Sequence, residues 1–310
     1  MVSTVGEDGT GTFVLDVDAP AGRVPFAAGF FVISATPDHD AFVALPVREG
    51  RPRVQDGFRV LDRTGRPVGT YHSDCVPLLL EAERLVLCEQ APDADPPRLA
   101  IVSVDVHSGA RTTLTETEGR VWDDVPLSLT PDGDSVMFHV RRDDSRGLYR
   151  APLSGEPATE FVRDGFFSVF HDAQTAFVLT NTDHERILQR FDYAAGQLSN
   201  PSPIPVAGAL LAVPIDAERA LVFARNEDDS WPLQVLSLAS GQARVVDPSA
   251  AVTDGTPFGP FVRVAGDRIV YIGGGDDGSE LRMVGLDGAE PPRRVLDESF
   301  RQGFVVGLVP

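Results

Sequence analysis

Seven glycines, Gly22, Gly65, Gly109, Gly155, Gly196, Gly241 and Gly288, stand at intervals of 43, 44, 46, 41, 45 and 47 residues. Each lies in a short polar break between apolar runs, as in DVHSGAR, PLSGEP and LASGQA. Gly suits a hairpin turn that needs φ > 0. A period of about 40 to 50 residues marks stacked supersecondary units. Residues 125–162 show what one unit holds: apolar runs at Pro126–Leu129, Val136–Val140, Gly147–Pro152 and Ala158–Val162, separated by Pro-Asp-Gly, a charged loop and Ser-Gly. Four such strands in up-and-down order cannot bury both faces of their sheet alone and need neighbours of the same kind.

A second turn recurs ahead of the strands AFVAL, LVLC, SVMFHV, AFVLT, ALVFA and RIVYI, six times against seven for the glycine turn. The missing turn falls at the chain ends. The N-terminal residues align with the second to fourth strands of a unit, and GFVVGLVP at 303–310 with a first strand. The expectation is an all-β, seven-bladed β-propeller of four-stranded antiparallel blades, about 44 residues each, with one blade shared by the N- and C-terminal strands so that no sheet edge stays open. The chain is read as one domain, 1–310, with blades near 1–28 plus 303–310, 29–72, 73–117, 118–163, 164–205, 206–249 and 250–302.

Within the third complete unit, Thr130-Pro131-Asp132-Gly133-Asp134-Ser135-Val136-Met137-Phe138, followed by Leu148-Tyr149-Arg150 and Ser154-Gly155-Glu156-Pro157, resembles the TolB-type, WD-repeat-like β-propeller repeat. The other units keep its period and lose its letters. The resemblance implies a propeller that binds proteins or small ligands and carries no catalytic implication.

Forty-six acidic residues against 27 basic ones, all Arg, give a net charge of −19. A nucleic-acid footprint needs a basic field, so that partner is excluded, and a cationic protein or small molecule is favoured. The absence of Lys, with abundant Ala, Asp, Gly and Pro, resembles a high-GC bacterial proteome. No apolar run reaches membrane-span length. The first residues lack a basic n-region and an apolar h-region, so a cytoplasmic monomer is expected, a trimmed secretory signal being the alternative. Cys75 and Cys88 are expected as two free, half-buried thiols on adjacent strands, a bridge between them being the alternative.

Second-to-third strand loops and blade-connecting loops emerge on one propeller face, where function is expected. The former carry Glu7/Asp8, Asp93/Asp95, Asp143/Asp144, Glu227/Asp228/Asp229 and Asp276/Asp277, a discontinuous acidic crown; hairpin tips rich in Asp are also ordinary turn chemistry. Aromatics beside charges suit recognition, which singles out Trp122, Asp123, Asp124, Arg141, Asp143, Asp144, His184, Asp228 and Trp231 as binding residues; for Trp122 and Trp231 the other reading is packing between blades. No cofactor is expected, and Ca²⁺ on the carboxylates is the alternative, without the Asp-x-Asp-x-Asp-Gly spacing of a dedicated loop. No metal ligands or catalytic residues are assigned: Gly-x-Ser-x-Gly, a phosphate loop and His-Glu-x-x-His are all missing. The expected function is a non-catalytic binding or scaffold propeller using the acidic face. The alternatives are a lactonase- or hydrolase-like enzyme with His184 or His72 beside a channel-mouth metal, and a gating propeller detached from a peptidase.

Overall fold

The apolar runs become strands because side chains at their ends satisfy the backbone and stop them. The buried Thr36 and Thr130 do this identically: each hydroxyl accepts the N–H five residues on, from Ala41 and Ser135, and donates to the same residue's carbonyl. The left-handed residue inside the turn is His39 in one case and Gly133 in the other. At the glycine turns, Asp62 and Asp105 accept N–H groups of the hairpin. The five marker glycines that are described have φ between 61° and 89°.

The computed structural model describes residues 1–6, 9–14, 24–36, 38–49, 51–81, 83–91, 93–121, 127–130, 132–142, 145–163, 165–170, 175–181, 186–192, 197–198, 204–206, 209–216, 218–224, 231–250, 262–275, 278–296 and 302–305. Among these residues the only helical turn is the 3-10 turn Val54–Asp56, and no helix is long and apolar enough to cross a membrane.

The described strands fall into seven antiparallel sheets. Sheet 1 joins Gln302–Val305, Val2–Gly6, Gly9–Val14 and Val24–Ala28. Sheet 2 is Phe30–Ala35, Ala41–Arg48, Phe58–Asp62 and Pro67–Tyr71, with Arg51–Pro52 folded back on the second strand. Sheet 3 is Leu78–Leu79, Arg84–Ala91, Arg98–Asp105 and Arg111–Glu118. Sheet 4 places Arg120–Val121 and Ser128–Leu129 side by side along Ser135–Arg142, followed by Ser145–Pro152 and Thr159–Arg163. Sheet 5 is Gly165–Phe170, Thr175–Asn181 and Arg186–Asp192, the last paired with both Gln197–Leu198 and Ile204–Pro205. Sheet 6 is Ala209–Pro214, Arg219–Ala224, Leu233–Ser237 and Ala243–Asp247. Sheet 7 is Val262–Ala265, Arg268–Gly275, Gly278–Gly285 and Arg293–Arg294.

Each sheet packs on the next in chain order, and sheet 7 packs on Gln302–Val305 of sheet 1. That strand pairs with Val2–Gly6, so the two ends of the described chain share a sheet. The cores lie between sheets: Phe138, Val140 and Tyr149 of sheet 4 meet Cys88, Leu99 and Ile101 of sheet 3, while Met137 and Leu148 turn the other way onto Val178 of sheet 5. Fourth strands are mostly exposed, as in Arg111–Glu118, which places them on the outside.

Two expectations are corrected. Seven four-stranded blades are not what the chain builds, because among the described residues four sheets have four strands and three have five. In sheets 4 and 5 the extra strand arises from splitting one strand position, and in sheet 2 from a hairpin that lengthens the second strand. Apolar alternation reports which face a residue takes; it does not report whether the hydrogen-bond ladder is continuous. The cysteines are not free: Cys75 and Cys88 form a disulfide, with Cα atoms 5.5 Å apart. The Asp74 N–H donates to the Cys88 carbonyl, and this pairing holds the two thiols against each other.

Candidate functional site

Antiparallel order puts second-to-third and sheet-to-sheet connections on one rim. At sheet 4 that rim is built by Gly119, whose φ of 122° and lack of a side chain let the chain close on Val140 and the Arg141 carbonyl. Gly119 N–H donates to the Pro97 carbonyl and Val121 N–H to Gln90 Oε1, both on sheet 3. Arg120–Val121 is thereby fixed opposite Arg141 and Val140. Arg142 crosses to sheet 3, donating to the Glu118 carbonyl at 2.9 Å and to Thr117 Oγ1 at 3.0 Å, with its guanidinium 5.1 Å from the Tyr149 ring centre. Burial of Tyr149 pushes its phenol pKa up.

Period-2 alternation sends Arg141 to the other face of the sheet. Arg141 lies in register with Arg120 on one side and Arg146 on the other, so three guanidinium-bearing residues line one row, all exposed. Arg146 has a partner of its own. Arg120 and Arg141 have no ion pair among the described residues. Beneath Arg141 on the same face is His139, whose burial pulls its pKa down to about 4 and keeps it neutral.

The first strand of sheet 4 is interrupted beside this row. Val121 pairs with Val140 and Ser128 with Met137, so on the partner strand only Phe138 and His139 separate the two pairings. Trp122, Asp123 and Asp124 fall between Val121 and Ser128 in the sequence and lie outside the described residues, as do Asp143, Asp144, His184 and Asp228. Of the predicted site residues, Arg141 and Trp231 are described. Trp231 is half-buried ahead of Leu233–Ser237 in sheet 6, so sheet 5 stands between it and Arg141. Of the acidic crown, Asp93 and Asp95 are described and exposed.

Other carboxylates near this rim are matched by arginines: Asp56 with Arg48 at 3.0 Å, Glu49 with Arg53 at 3.0 Å, Glu160 with Arg163 at 3.3 Å and Glu116 with Arg98 at 3.8 Å. His72 is exposed, and Asp74 beside it accepts the Gln90 N–H at 2.7 Å. Among the described residues no three His, Cys, Asp or Glu side chains gather to hold a metal.

A polar lock that sequence reasoning missed joins sheets 6 and 7. The carboxylate of Asp247, 0% exposed, accepts from the Tyr271 hydroxyl, from Ser249 and from Arg282 at 3.3 Å. Arg282 also donates to Glu280 at 3.0 Å, and Arg294 lies 3.4 Å from the same carboxylate. Burial and then Asp247 push the Tyr271 pKa up; burial pulls the Arg282 pKa down, but Glu280 and Asp247 outweigh it. With every Asp247 acceptor site used, the cluster binds the two sheets together. The signal in the sequence was an arginine inside the apolar run Leu281–Val284. On the opposite rim a groove of about 850 Å³ is lined by Arg219, Arg244, Arg268 and Arg293. The first is held by Asp216 at 2.6 Å, the second by the Leu286 carbonyl at 2.5 Å and the last by the Met283 sulfur at 3.9 Å.

No protein-family model and no curated protein matches the chain. Solved structures do. TolB from Acinetobacter baumannii matches with a TM-score of 0.54 at 16% identity, over 89% of this chain and 65% of that one. An oligogalacturonate lyase from Vibrio parahaemolyticus gives 0.67 at 10% identity, over 90% and 84%. The β-propeller domain of the Trilobed protease from Pyrococcus furiosus gives 0.60 at 12%, over 96% and 93%. The chain therefore spans about two thirds of the length of that TolB. The TolB-type resemblance of Thr130–Pro157 is met at the level of architecture, and at these identities the likeness shows one thing, the β-propeller fold.

Proposed function

We propose that the protein is a non-catalytic binding propeller whose ligand docks on the rim of sheet 4. The observation that supports this reading is the interruption of the first strand there. Arg120–Val121 and Ser128–Leu129 pair separately with the same strand, Val121 opposite Val140 and Ser128 opposite Met137, beside the exposed Arg120 and Arg141. Irregularities of a ladder that re-aim side chains favour functional sites, and recognition residues are carried on connections held by a rigid scaffold. Here the scaffold is the pair of sheets tied by Arg142, Gly119 and Val121. The test is a thermal-shift screen of small metabolites and short peptides against the protein and its Trp122→Ala variant. A ligand that raises Tm by several degrees in the first and not in the second supports the reading. Hits indifferent to the substitution move the site elsewhere, and appearance of a product from a hit makes the protein an enzyme.

The disulfide bears on where it works. Disulfides persist in oxidising compartments and are rare in a reducing cytoplasm, so we place the working protein in the former, contrary to the expectation from its first residues. Thiol counts on protein recovered from each compartment test this, and two free thiols in the native location would reverse it.

A further inference from the structure

We propose that the ligand of this rim carries an oxyanion, a carboxylate or phosphate group, received by Arg120 and Arg141. The inference rests on the sheet 4 rim being the binding site and adds the charge of what binds there. A protein of net charge −19 would be expected to repel anions, yet its register sets Arg120, Arg141 and Arg146 directly across from one another on three neighbouring strands. Strands lie about 4.8 Å apart, and like charges directly opposite each other destabilise a sheet. Elsewhere the cost is avoided: Arg48, Arg53, Arg98, Arg163 and Arg282 each face a carboxylate. Arg120 and Arg141 face none among the described residues.

Two arginines directly opposite each other on neighbouring strands can bring both guanidiniums to one carboxylate or phosphate, which accepts paired N–H groups from such forks. The backbone at both arginines is held in place without a ligand. The backbone at Arg120 is held on either side by the Gly119 N–H to Pro97 and Val121 N–H to Gln90 contacts. Arg141 is fixed by the strand Ser135–Arg142, whose last residue is clamped to sheet 3. The buried, neutral His139 beneath them adds no competing charge. The cationic partner expected from overall composition thus gives way, at this place, to an anionic one.

The probes are inorganic phosphate and succinate, each titrated calorimetrically at constant ionic strength into the protein and into Arg120→Gln, Arg141→Gln and Arg98→Gln. Binding of at least one probe in the millimolar range, weakened roughly tenfold by either of the first two substitutions and unchanged by the third, is the expected result. Which probe binds tells phosphate from carboxylate. Because the arginines repel each other, Arg141→Gln should match or exceed the Tm of the parent without a probe; a merely structural role predicts a lower Tm. No heat from either probe in the millimolar range, or equal binding by Arg141→Gln, overturns the inference. A neutral or cationic ligand lost in Trp122→Ala but kept in Arg141→Gln would overturn it while leaving the binding function standing.

Discussion

Gly119 and His139 show how much single residues near the rim decide. A Cβ on Gly119 would lie 2.9 Å from the Arg141 carbonyl and collide with Val140, at a φ that L side chains rarely adopt. Gly119→Ala is expected to cost about 2–3 kcal/mol, read as a lower urea midpoint with unchanged m. His139 is neutral because burial has lowered its pKa from 6.5 to about 4. A base whose folded pKa is depressed gives stability present above the unfolded value and lost as pH falls toward the folded one. Unfolding free energy should therefore drop by about 3 kcal/mol between pH 7 and pH 4 on this account alone. In His139→Leu that share of the pH dependence should vanish, so equal slopes in the two proteins would refute the assignment. In the sequence both residues looked ordinary, a glycine before an arginine and a histidine in an apolar run, because nothing local tells that another strand crowds one and an adjacent sheet covers the other.

Among the elements, the Cys75–Cys88 bridge ties the approach to the two-residue strand Leu78–Leu79 to its neighbour Arg84–Ala91. So short a first strand makes few ladder bonds, and the covalent link replaces them. Replacing both cysteines by Ala is expected to lower unfolding free energy by about 2–4 kcal/mol. Hydrogen exchange should then rise first at Leu85–Cys88; uniform loss across all sheets would mean that the bridge is not a local staple. Strand existence was legible where turn chemistry bounded it: Thr130 and Gly133 announce the turn before Ser135–Arg142, and Asp105 and Gly109 the one after Arg98–Asp105. Strand continuity was not, since Val121 and Ser128 pair with Val140 and Met137 of one strand through a register that apolar alternation does not encode.

Across the molecule, sheet 1 depends on two distant segments. Removing residues 302–310 strips Val2–Gly6 of one of its two partner strands and exposes that edge. The truncated protein should unfold at lower denaturant concentration and form dimers or larger species by light scattering; a monomer of unchanged stability would show that the terminal strand is dispensable. The candidate site was legible only in part. Arg141 was named from its loop, but its neighbour Arg120 lies 21 residues away and became relevant only through pairing. The sequence by itself determined the period, the turns and the alternation of faces, because these rest on local backbone preferences and on side chains one or two residues apart. Which arginines find carboxylates, which two stand side by side without one, and that Cys75 reaches Cys88 were decided by tertiary structure. Register and sheet packing set those distances, and charge and thiol chemistry depend on distance in space.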